Sequence, residues 1–287
     1  MVKIADGLAK AKANSHDPEK QEPILASEQI NIPSPSPRTK SDSTPRPSKR
    51  PSAHSSAWDE RLSIAVNDDP YVPEIFRNLR SRILHPSDKK PGPKSVIVLS
   101  AASNEGKSFV TANLGISIAQ SLNQYCLMVD CDLRRPTLSG LFGVENNRGL
   151  ADYLREDSDI NELLIGTSLD TLSLLPSGKS PSNPAELLGS SRMRSLVIEL
   201  TDRYSDRIIL FDCPPTLAAS ETLVLAAQMD GVIVVVREGG ARLAQIQKLV
   251  SSIDSDRLLG IVFNGHTTNI IERSLMDTYG GGYGGYY

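Results

Sequence analysis

The stretch SVIVLSAASNEGKS, residues 95–108, joins a short apolar run rich in β-branched residues to the start of a predicted helix. The run predicts a buried strand at 95–100, and a helix is predicted from Lys107 to about Leu122. A Gly-Lys-Ser sequence at a helix start is typical of a phosphate-binding loop, because the backbone N–H groups and the helix dipole attract anions there. Gly106 lets the backbone approach a phosphate closely.

The side chains of this loop have distinct predicted roles. Lys107 is expected to reach the β- and γ-phosphates of a nucleotide, and Ser108 to place its hydroxyl on Mg²⁺. The usual pattern has glycine six residues before the lysine, where this chain has Ala101. Taken alone, the loop also fits a chance Gly-Lys-Ser at a helix start. The predicted ATP-binding residues of the loop are Ser103, Asn104, Glu105, Gly106, Lys107, Ser108 and Phe109.

Two further apolar runs end in aspartate. LMVDCDLRRP carries Asp130 and Asp132 at the end of a predicted strand 125–130, and IILFDCPP ends the strand 207–212 with Asp212. Open α/β folds bind ligands at the carboxyl ends of their strands, and an aspartate there is the usual Mg²⁺ partner in P-loop enzymes. Each aspartate alone also fits a helix cap or a turn. Three of them beside a Gly-Lys-Ser loop favour a nucleotide site.

Strand and helix patterns alternate from about Pro70 onward. Unbroken apolar strands separated by helices predict a doubly wound α/β fold with a mainly parallel sheet, the P-loop NTPase fold. Further strands are predicted at 172–176, 231–236 and 258–264, and helices near 185–204, 219–229 and 241–253. The predicted organisation is a disordered Pro/Ser-rich region at 1–65, a P-loop domain at 66–270 and a flexible Tyr/Gly-rich tail at 271–287.

The composition limits the classes of protein to which this chain can belong. A chain of 287 residues with 39% hydrophobic and 23% charged residues fits a soluble globular protein with a tail. The net charge of −3 gives no whole-chain field for nucleic acid. No apolar run reaches the roughly 18 residues of a membrane helix, and no signal peptide is visible, so a cytoplasmic location is expected.

The three cysteines lack zinc-site spacing and are expected to be reduced, buried thiols. The Pro/Ser-rich stretch from about residue 17 to 57 is expected to be a flexible linker, or a weak tether to acidic lipid or an acidic partner.

Together these motifs resemble those of the bacterial tyrosine kinases of polysaccharide export. SAASNEGKS resembles their Walker A motif, LMVDCDLRRP their second motif, and ILFDCPP their Walker B motif. GLADYL resembles a short helix of the family, and LLPSGKSPSNPAELL a loop that precedes a helix. The subgroup that the chain most resembles is that of the exosortase-associated tyrosine autokinases.

The resemblance implies the reaction and the residues that carry it. The γ-phosphoryl group of ATP would pass to tyrosine, with Asp130 near the γ-phosphate helping to accept the tyrosine proton. Arg134 would stabilise charge or a subunit contact, whereas Arg237 and Arg242 fit a site role and a surface role equally well. The implied catalytic residues are Lys107, Asp130, Asp132 and Asp212, the implied Mg²⁺ ligands are Ser108, Asp132 and Asp212, and the adenine contact, by fold analogy, is Asn264.

Glu74, Arg77 and Arg80 fit the pattern Glu-x-x-Arg-x-x-Arg and fall on one face of a predicted helix. The pattern alone indicates a salt-bridged helix surface. The resemblance implies instead an oligomerisation contact that joins subunits into a ring, in which each tail reaches the neighbouring active site.

Tyrosines are concentrated at the C-terminus. Four of the eight tyrosines fall in the last nine residues, separated by glycines that keep the segment flexible. This clustering favours a substrate tail, although an idle, self-associating end is the alternative. Phosphates of about −1.5 to −2 charges each would repel one another and eject the tail. The predicted autophosphorylation sites are Tyr279, Tyr283, Tyr286 and Tyr287.

The resemblance also implies partners and a process. The chain would form a homo-oligomer, respond to a separate membrane polysaccharide co-polymerase as its activator, be reversed by a tyrosine phosphatase, and regulate exopolysaccharide synthesis and export. The activator would recruit it to the inner face of the membrane. A MinD/ParA-like switch ATPase is the alternative, but such ATPases usually carry a second lysine where this chain has Ala102. A scaffold that uses ATP only to assemble is a third possibility.

Overall fold

The computed structural model describes residues 3–5, 58–63, 71–86, 91–156, 158–204 and 206–265. The strands are β1 (Lys3–Ala5), β2 (Ser95–Leu99), β3 (Tyr125–Asp130), β4 (Ile165–Gly166), β5 (Leu172–Leu175), β6 (Arg207–Asp212), β7 (Gly231–Arg237) and β8 (Leu258–Asn264). The helices are α1 (Glu60–Ser63), α2 (Tyr71–Leu84), α3 (Lys107–Ala119), α4 (Leu138–Leu141), α5 (Leu150–Arg155), α6 (Ile160–Leu163), α7 (Pro184–Leu188), α8 (Ser191–Arg203), α9 (Glu221–Ala226) and α10 (Leu243–Ser251).

The strands form one eight-stranded sheet in the order β1-β8-β7-β2-β6-β3-β5-β4. The six strands from β8 to β5 run parallel, and the edge strands β1 and β4 pair antiparallel to their neighbours. Every residue of β2 and β6, which lie at the centre, is buried. The central strands are unbroken apolar runs because each of their two faces packs against helices.

Alternate side chains of each central strand enter two separate hydrophobic cores. In β2, Val96 and Val98 pack with side chains of α2 and α3, whereas Ile97 and Leu99 pack on the opposite face with side chains of α8, α9 and α10. Helices therefore cover both faces, and the prediction of a doubly wound, mainly parallel α/β fold is confirmed.

Most predicted elements lie where the sequence pattern put them, but the long helix predicted near 185–204 is two helices. The break falls at Gly189 and Ser190, and the Ser190 hydroxyl caps α8 by accepting a hydrogen bond from the backbone N–H of Met193 at 3.1 Å. Serine is a strong N-cap residue, so a new helix begins there. The two-residue strand β4 was not predicted, because so short an element leaves no periodic pattern.

Two short segments within residues 1–65, a range predicted to be disordered, form secondary structure: β1 and α1. β1 pairs with β8, with Ile4 opposite Val262, and so covers an otherwise open sheet edge. Leu62 of α1 is fully buried, and the Trp58 ring packs edge-on against Phe142 at 5.1 Å. These apolar side chains extend the folded domain to residue 58, earlier than the predicted start at 66. The predicted boundary at 270 lies outside the described residues.

Candidate nucleotide and metal site

The predicted site residues meet at the carboxyl edge of the sheet. The phosphate loop, residues 100–106, follows β2, which lies between β7 and β6. Asp212 ends β6, and Asp130 ends β3 as its direct Cα partner in the neighbouring strand. Asn264 ends β8 on the other side of the loop. Parallel strands thus bring together groups that are separated by more than 150 residues in the chain.

The phosphate loop leads into α3 through a left-handed turn. Gly106 is the N-cap of this 13-residue helix, with φ 92° and ψ 22°, and no side chain of the described residues caps the helix. The first backbone N–H groups of a helix have no intrahelical acceptor, so this uncapped end presents donors to an anion. Ala101 has an ordinary negative φ, since Asn104 and Asn123 are the positive-φ residues other than glycine in the described chain. The loop therefore does not require the glycine that the usual pattern has there.

Neighbouring loops hold the phosphate loop on both sides. On the β6 side, the backbone N–H groups of Thr216 and Leu217 donate to the carbonyl oxygens of Ser100 and Ala101 at 3.0 and 3.1 Å. On the β8 side, the Asn264 amide donates to the Glu105 carbonyl oxygen at 3.0 Å. The loop is therefore fixed by the fold itself before any ligand is considered.

The predicted ATP-binding residues of the loop differ in how far their side chains are exposed to solvent. Ser103 and Asn104 are exposed, and Ser108 and Phe109 are half-buried. Lys107 is 7% exposed, at the start of α3. The Glu105 carboxylate is fully buried and accepts hydrogen bonds from protein backbone, so its side chain faces inward and not toward the open edge.

The Asp212 side chain is a fully buried carboxylate. Neither of its oxygens accepts a hydrogen bond from the described residues. Burial raises the pKa of Asp212 to about 6, against the opposing charge of Lys107. The hydroxyls of Ser108 and Thr111 also lower this pKa, although neither completes a hydrogen bond to the carboxylate. An orphaned carboxylate beside a lysine and a serine hydroxyl fits a bound cation.

Asp130 and Asp132 add two further carboxylates beside Asp212. Asp130 is fully buried and accepts hydrogen bonds from the backbone N–H groups of Asp132 at 3.1 Å and Leu138 at 3.2 Å. Burial raises the pKa of Asp130 well above its usual range, and the charges of Asp212 and Asp132 add to that rise. Asp132 is half-buried and accepts from the backbone N–H of Arg135 at 3.0 Å. The cluster therefore concentrates negative charge at the edge next to the phosphate loop.

These carboxylates do not form a closed metal cage. Within the described chain, no group of three or more His, Cys, Asp or Glu side chains is arranged to hold a metal ion. Mg²⁺ is commonly held by one or two carboxylates together with substrate phosphates and waters. The predicted set of Ser108, Asp132 and Asp212 fits that arrangement better than it fits a metal site made of protein alone.

Two arginines near the site are engaged in different ways. Arg134 donates to the carbonyl oxygen of Ala218 at 2.7 Å and pairs with Glu221 at 3.2 Å, so it joins the loops that follow β3 and β6. Arg237 donates to the carbonyl oxygen of Asn104 at 3.2 Å and so contacts the phosphate loop, which favours its site role. The Arg242 backbone N–H bonds Gln245 at the start of α10.

Sequence reasoning missed the loop between β7 and α10, residues 238–242. Its Ala241 N–H bonds the Glu105 carboxylate, and Gly240 packs against the same carboxylate. The adjacent Gly239 and Gly240, directly after an apolar strand, were the signal that could have identified it. This loop also lines an apolar cavity of about 520 Å³, large enough for a nucleobase, together with Val236, Arg237, Leu243, Ile246, Phe263 and Asn264.

The Glu-x-x-Arg-x-x-Arg motif lies on α2, as predicted. Glu74 and Arg77 form an intrahelical salt bridge of 3.1 Å between half-exposed side chains. Arg80 is partly buried and donates to the Ser117 carbonyl oxygen near the end of α3 at 2.7 Å. Arg80 therefore has a role within the subunit, whatever its role between subunits. The four tail tyrosines lie outside the described residues.

Two further expectations concern cysteines and membrane segments. Cys126, Cys131 and Cys213 are buried and free, which confirms the prediction of reduced thiols. Within the part of the chain that the structure covers, no helix is long and apolar enough to cross a bilayer.

Comparison with known proteins gives concordant matches. The model of the AAA domain family matches residues 96–257. Tyrosine-protein kinase YwqD of Bacillus subtilis is 34% identical over 194 residues, which cover 67% of this chain and 80% of YwqD. Tyrosine-protein kinase ptk of Acinetobacter johnsonii is 32% identical over 72% of this chain, but this chain spans only 27% of that protein. The solved kinase domain of the Escherichia coli tyrosine kinase ETK superposes with a TM-score of 0.63 and 27% identity, covering 77% of this chain and 88% of that one.

Proposed function

This chain belongs to the bacterial tyrosine-protein kinase family and carries its AAA domain, and on that basis we propose that it transfers the γ-phosphoryl group of MgATP to protein tyrosines. The first acceptors are Tyr279, Tyr283, Tyr286 and Tyr287 in the tail of a neighbouring subunit. The activity is that of a non-specific protein-tyrosine kinase acting as an autokinase.

One feature supports this function above the others. Asp212 is a fully buried carboxylate whose oxygens have no partner in the described chain, and it lies beside Lys107 and Ser108 of the phosphate loop. A buried carboxylate without a partner is costly, and a bound cation or a reacting group offsets that cost. In a nucleotide site that cation is Mg²⁺ on the phosphates.

Each residue has a proposed role in phosphoryl transfer. Lys107 binds the β- and γ-phosphates, and the N–H groups at the start of α3 hold their oxygens. Ser108, Asp132 and Asp212 hold Mg²⁺, which neutralises phosphate charge when bound. Asp130 lies next to Asp212 and takes the tyrosine proton. Burial raises the pKa of Asp130, so its carboxylate binds a proton more readily than a solvent-exposed carboxylate does.

The cavity beside Asn264 is the proposed site of the adenine. It is mostly apolar, it opens next to the phosphate loop, and Asn264 supplies a polar group at its edge. Arg237 lies between this cavity and Asn104, so it can bind the ribose or the phosphates.

The proposed assembly and partners of this chain are based on its membership of the kinase family. We propose a homo-oligomeric ring with contacts through Glu74, Arg77 and Arg80. We also propose a separate membrane co-polymerase that activates the kinase at the inner face of the membrane, and a tyrosine phosphatase that reverses it. The process is regulation of exopolysaccharide synthesis and export. Membership of the exosortase-associated subgroup stays a prediction.

The test is incubation of the full chain with MgATP followed by anti-phosphotyrosine detection and mass spectrometry of the tail. Lys107→Met is expected to lower the signal by at least about 100-fold, because charge stabilisation of the phosphates is lost. The matched control is Lys248→Met, since Lys248 is an exposed lysine on α10. Signal that persists in Lys107→Met would overturn the proposal.

A mixing experiment tests transfer between subunits. A chain truncated before Tyr279 retains the site but lacks the acceptors, whereas Lys107→Met retains the acceptors but lacks the lysine. Neither is expected to be labelled alone, and the mixture is expected to be labelled on the Lys107→Met chain. ATP hydrolysis without any labelled tyrosine in the wild type would favour the switch ATPase instead.

A further inference from the structure

We propose that Glu105 is a positioning residue whose buried carboxylate couples the phosphate loop to the β7–α10 loop and, through it, to the cavity beside Asn264. The inference rests on the proposed nucleotide function, because it concerns how two parts of one ligand are bound together. It reassigns the Glu105 side chain from an ATP contact to an internal link between two loops.

The carboxylate bridges two segments that are far apart in sequence. One oxygen, Oε2, accepts the backbone N–H of Ala102 at 2.8 Å, which closes the phosphate loop on itself. The other, Oε1, accepts the backbone N–H of Ala241 at 3.2 Å and approaches that of Arg237 at 3.5 Å. Bonds from N–H groups to an ionised acceptor are stronger than neutral ones, and these donors are fixed by the main chain. The carboxylate therefore sets the spacing between the two loops.

Packing around the carboxylate leaves little freedom. Glu105 is fully buried, and a Cβ added at Gly240 would lie 2.9 Å from its Oε1 and 3.0 Å from the Arg237 carbonyl oxygen. These two close approaches explain why glycine stands at 240. On the other side, the Glu105 carbonyl oxygen accepts the Asn264 amide at 3.0 Å. Glu105 is held by its side chain toward β7 and by its backbone toward β8.

Three residues that line the cavity therefore contact Glu105 directly. They are Arg237, Ala241 and Asn264. A group that binds in the cavity contacts residues that are hydrogen-bonded to the phosphate loop. A phosphate bound to the loop in turn restricts the motion of the residues that line the cavity. The two halves of a nucleotide should then bind cooperatively, and the carboxylate should carry part of that coupling.

The experiment compares ATP with inorganic tripolyphosphate, both with Mg²⁺, by titration calorimetry on the full chain. The ratio of the two Kd values measures what the nucleoside adds. Glu105→Ala is expected to weaken ATP binding by about 30-fold and tripolyphosphate binding by only about threefold, so the ratio falls about tenfold. Glu105→Gln has one acceptor oxygen in place of two and should lie between. The control is Glu162→Ala, since Glu162 is exposed on α6 and remote from the phosphate loop in the strand order.

A double-mutant cycle with Gly240 separates positioning from a general loss of folding. In the wild type, Gly240→Ala crowds both the Glu105 carboxylate and the Arg237 carbonyl oxygen and should weaken ATP binding by about tenfold. Beside Glu105→Ala only the contact with the Arg237 carbonyl oxygen remains, so the loss should shrink to about threefold. If Glu105→Ala proves unfolded by circular dichroism, Glu105→Gln completes the same cycle. Equal losses for ATP and tripolyphosphate, or the same Gly240→Ala effect in both backgrounds, would overturn the inference. A wild-type chain that binds neither ligand would overturn the proposed nucleotide function itself.

Discussion

The phosphate loop and the aspartate cluster lie side by side on one sheet edge, yet the protein treats their polar groups in opposite ways. In the loop, Glu105 and its neighbours accept hydrogen bonds from surrounding backbone and side chains. In the cluster, both oxygens of Asp212 lack a hydrogen-bond partner among the described residues, and burial raises the pKa of Asp212 and of Asp130. The buried carboxylate of the loop is satisfied by backbone N–H groups, whereas the charge of Asp212 is offset only in part, by Lys107.

The difference reflects what each region has to bind. A loop that cradles phosphates works best when it is already in place, because no reorganisation is then needed at the moment of reaction. Carboxylates that hold a cation have to keep oxygens available for it, so they cannot be satisfied internally. In the loop, the arrangement that binds phosphate also stabilises the fold. In the cluster, the arrangement that binds a cation lowers the stability of the fold.

The largest expected effect comes from removing charge in the cluster. Asp212→Asn keeps the side-chain shape but takes away the carboxylate that faces Lys107 and Ser108, and tail phosphorylation should fall by about 10³-fold. Single-turnover labelling with saturating MgATP measures it. Asp202→Asn on α8, where the side chain is exposed, is the control and should retain the wild-type rate. A loss below about tenfold would mean that the orphaned carboxylate has another purpose.

The next effect is in the loop, where a single methyl group should break the prearranged geometry. Gly106 has φ 92°, and a Cβ there would overlap the Asn264 amide. Gly106→Ala should therefore weaken ATP binding by about 100-fold, from left-handed strain together with displacement of Asn264. Gly140→Ala is the matched control, because a Cβ at Gly140 meets nothing within 4 Å. Unchanged affinity in Gly106→Ala would show that the loop is not rigid.

A third test measures the folding stability of the same Asp212→Asn variant as a function of pH. The Asp212 pKa is about 6 in the folded chain and about 4 when unfolded, so between those values the folded chain holds an extra proton. Stability of the wild type therefore falls as pH rises from about 4 to 6, and it stays reduced above that window. The variant lacks this loss and should be more stable by about 3 kcal/mol at pH 8, with the gain vanishing below about pH 4.

Chemical denaturation in metal-free buffer at a series of pH values measures this gain. Adding Mg²⁺ with nucleotide should stabilise the wild type more than the variant, because only the wild type has the carboxylate to offset. A gain of the same size at pH 4.5 and pH 8 would contradict the assignment of the effect to the buried charge.

Sequence alone predicts the elements that depend on local pattern. The apolar runs of β2, β3 and β6 identify the central strands because both of their faces are buried, and the aspartates that end β3 and β6 then have to share one edge. The shared edge is a consequence of parallel pairing, so the convergence of Asp130 and Asp212 with the phosphate loop was predictable from the order of elements.

Contacts between distant loops were beyond the sequence. Glu105 bonds Ala241, 136 positions along the chain, and no periodicity marks either residue for the other. Arg80 likewise looked like a member of one exposed charged face, yet it reaches the Ser117 carbonyl oxygen of α3. Long side chains reach partners that helix spacing does not specify. The pairing of β1 with β8 involves only three residues of β1, too few to leave a recognisable sequence pattern.

The smallest expected effect concerns one contact among the several that hold the loop. Asn264 donates to the Glu105 carbonyl oxygen at 3.0 Å, and Asn264→Ala removes that bond at a cost of about 1 kcal/mol, or about fivefold in affinity. The loss should be modest because Ala241, Thr216 and Leu217 still hold the loop. If Asn264 serves mainly the loop, ATP and tripolyphosphate weaken equally in calorimetry; if it also contacts adenine, ATP weakens more. Asn147→Ala, at an exposed asparagine, should change neither, and an Asn264→Ala chain that binds both ligands normally would show that the loop needs no support from β8.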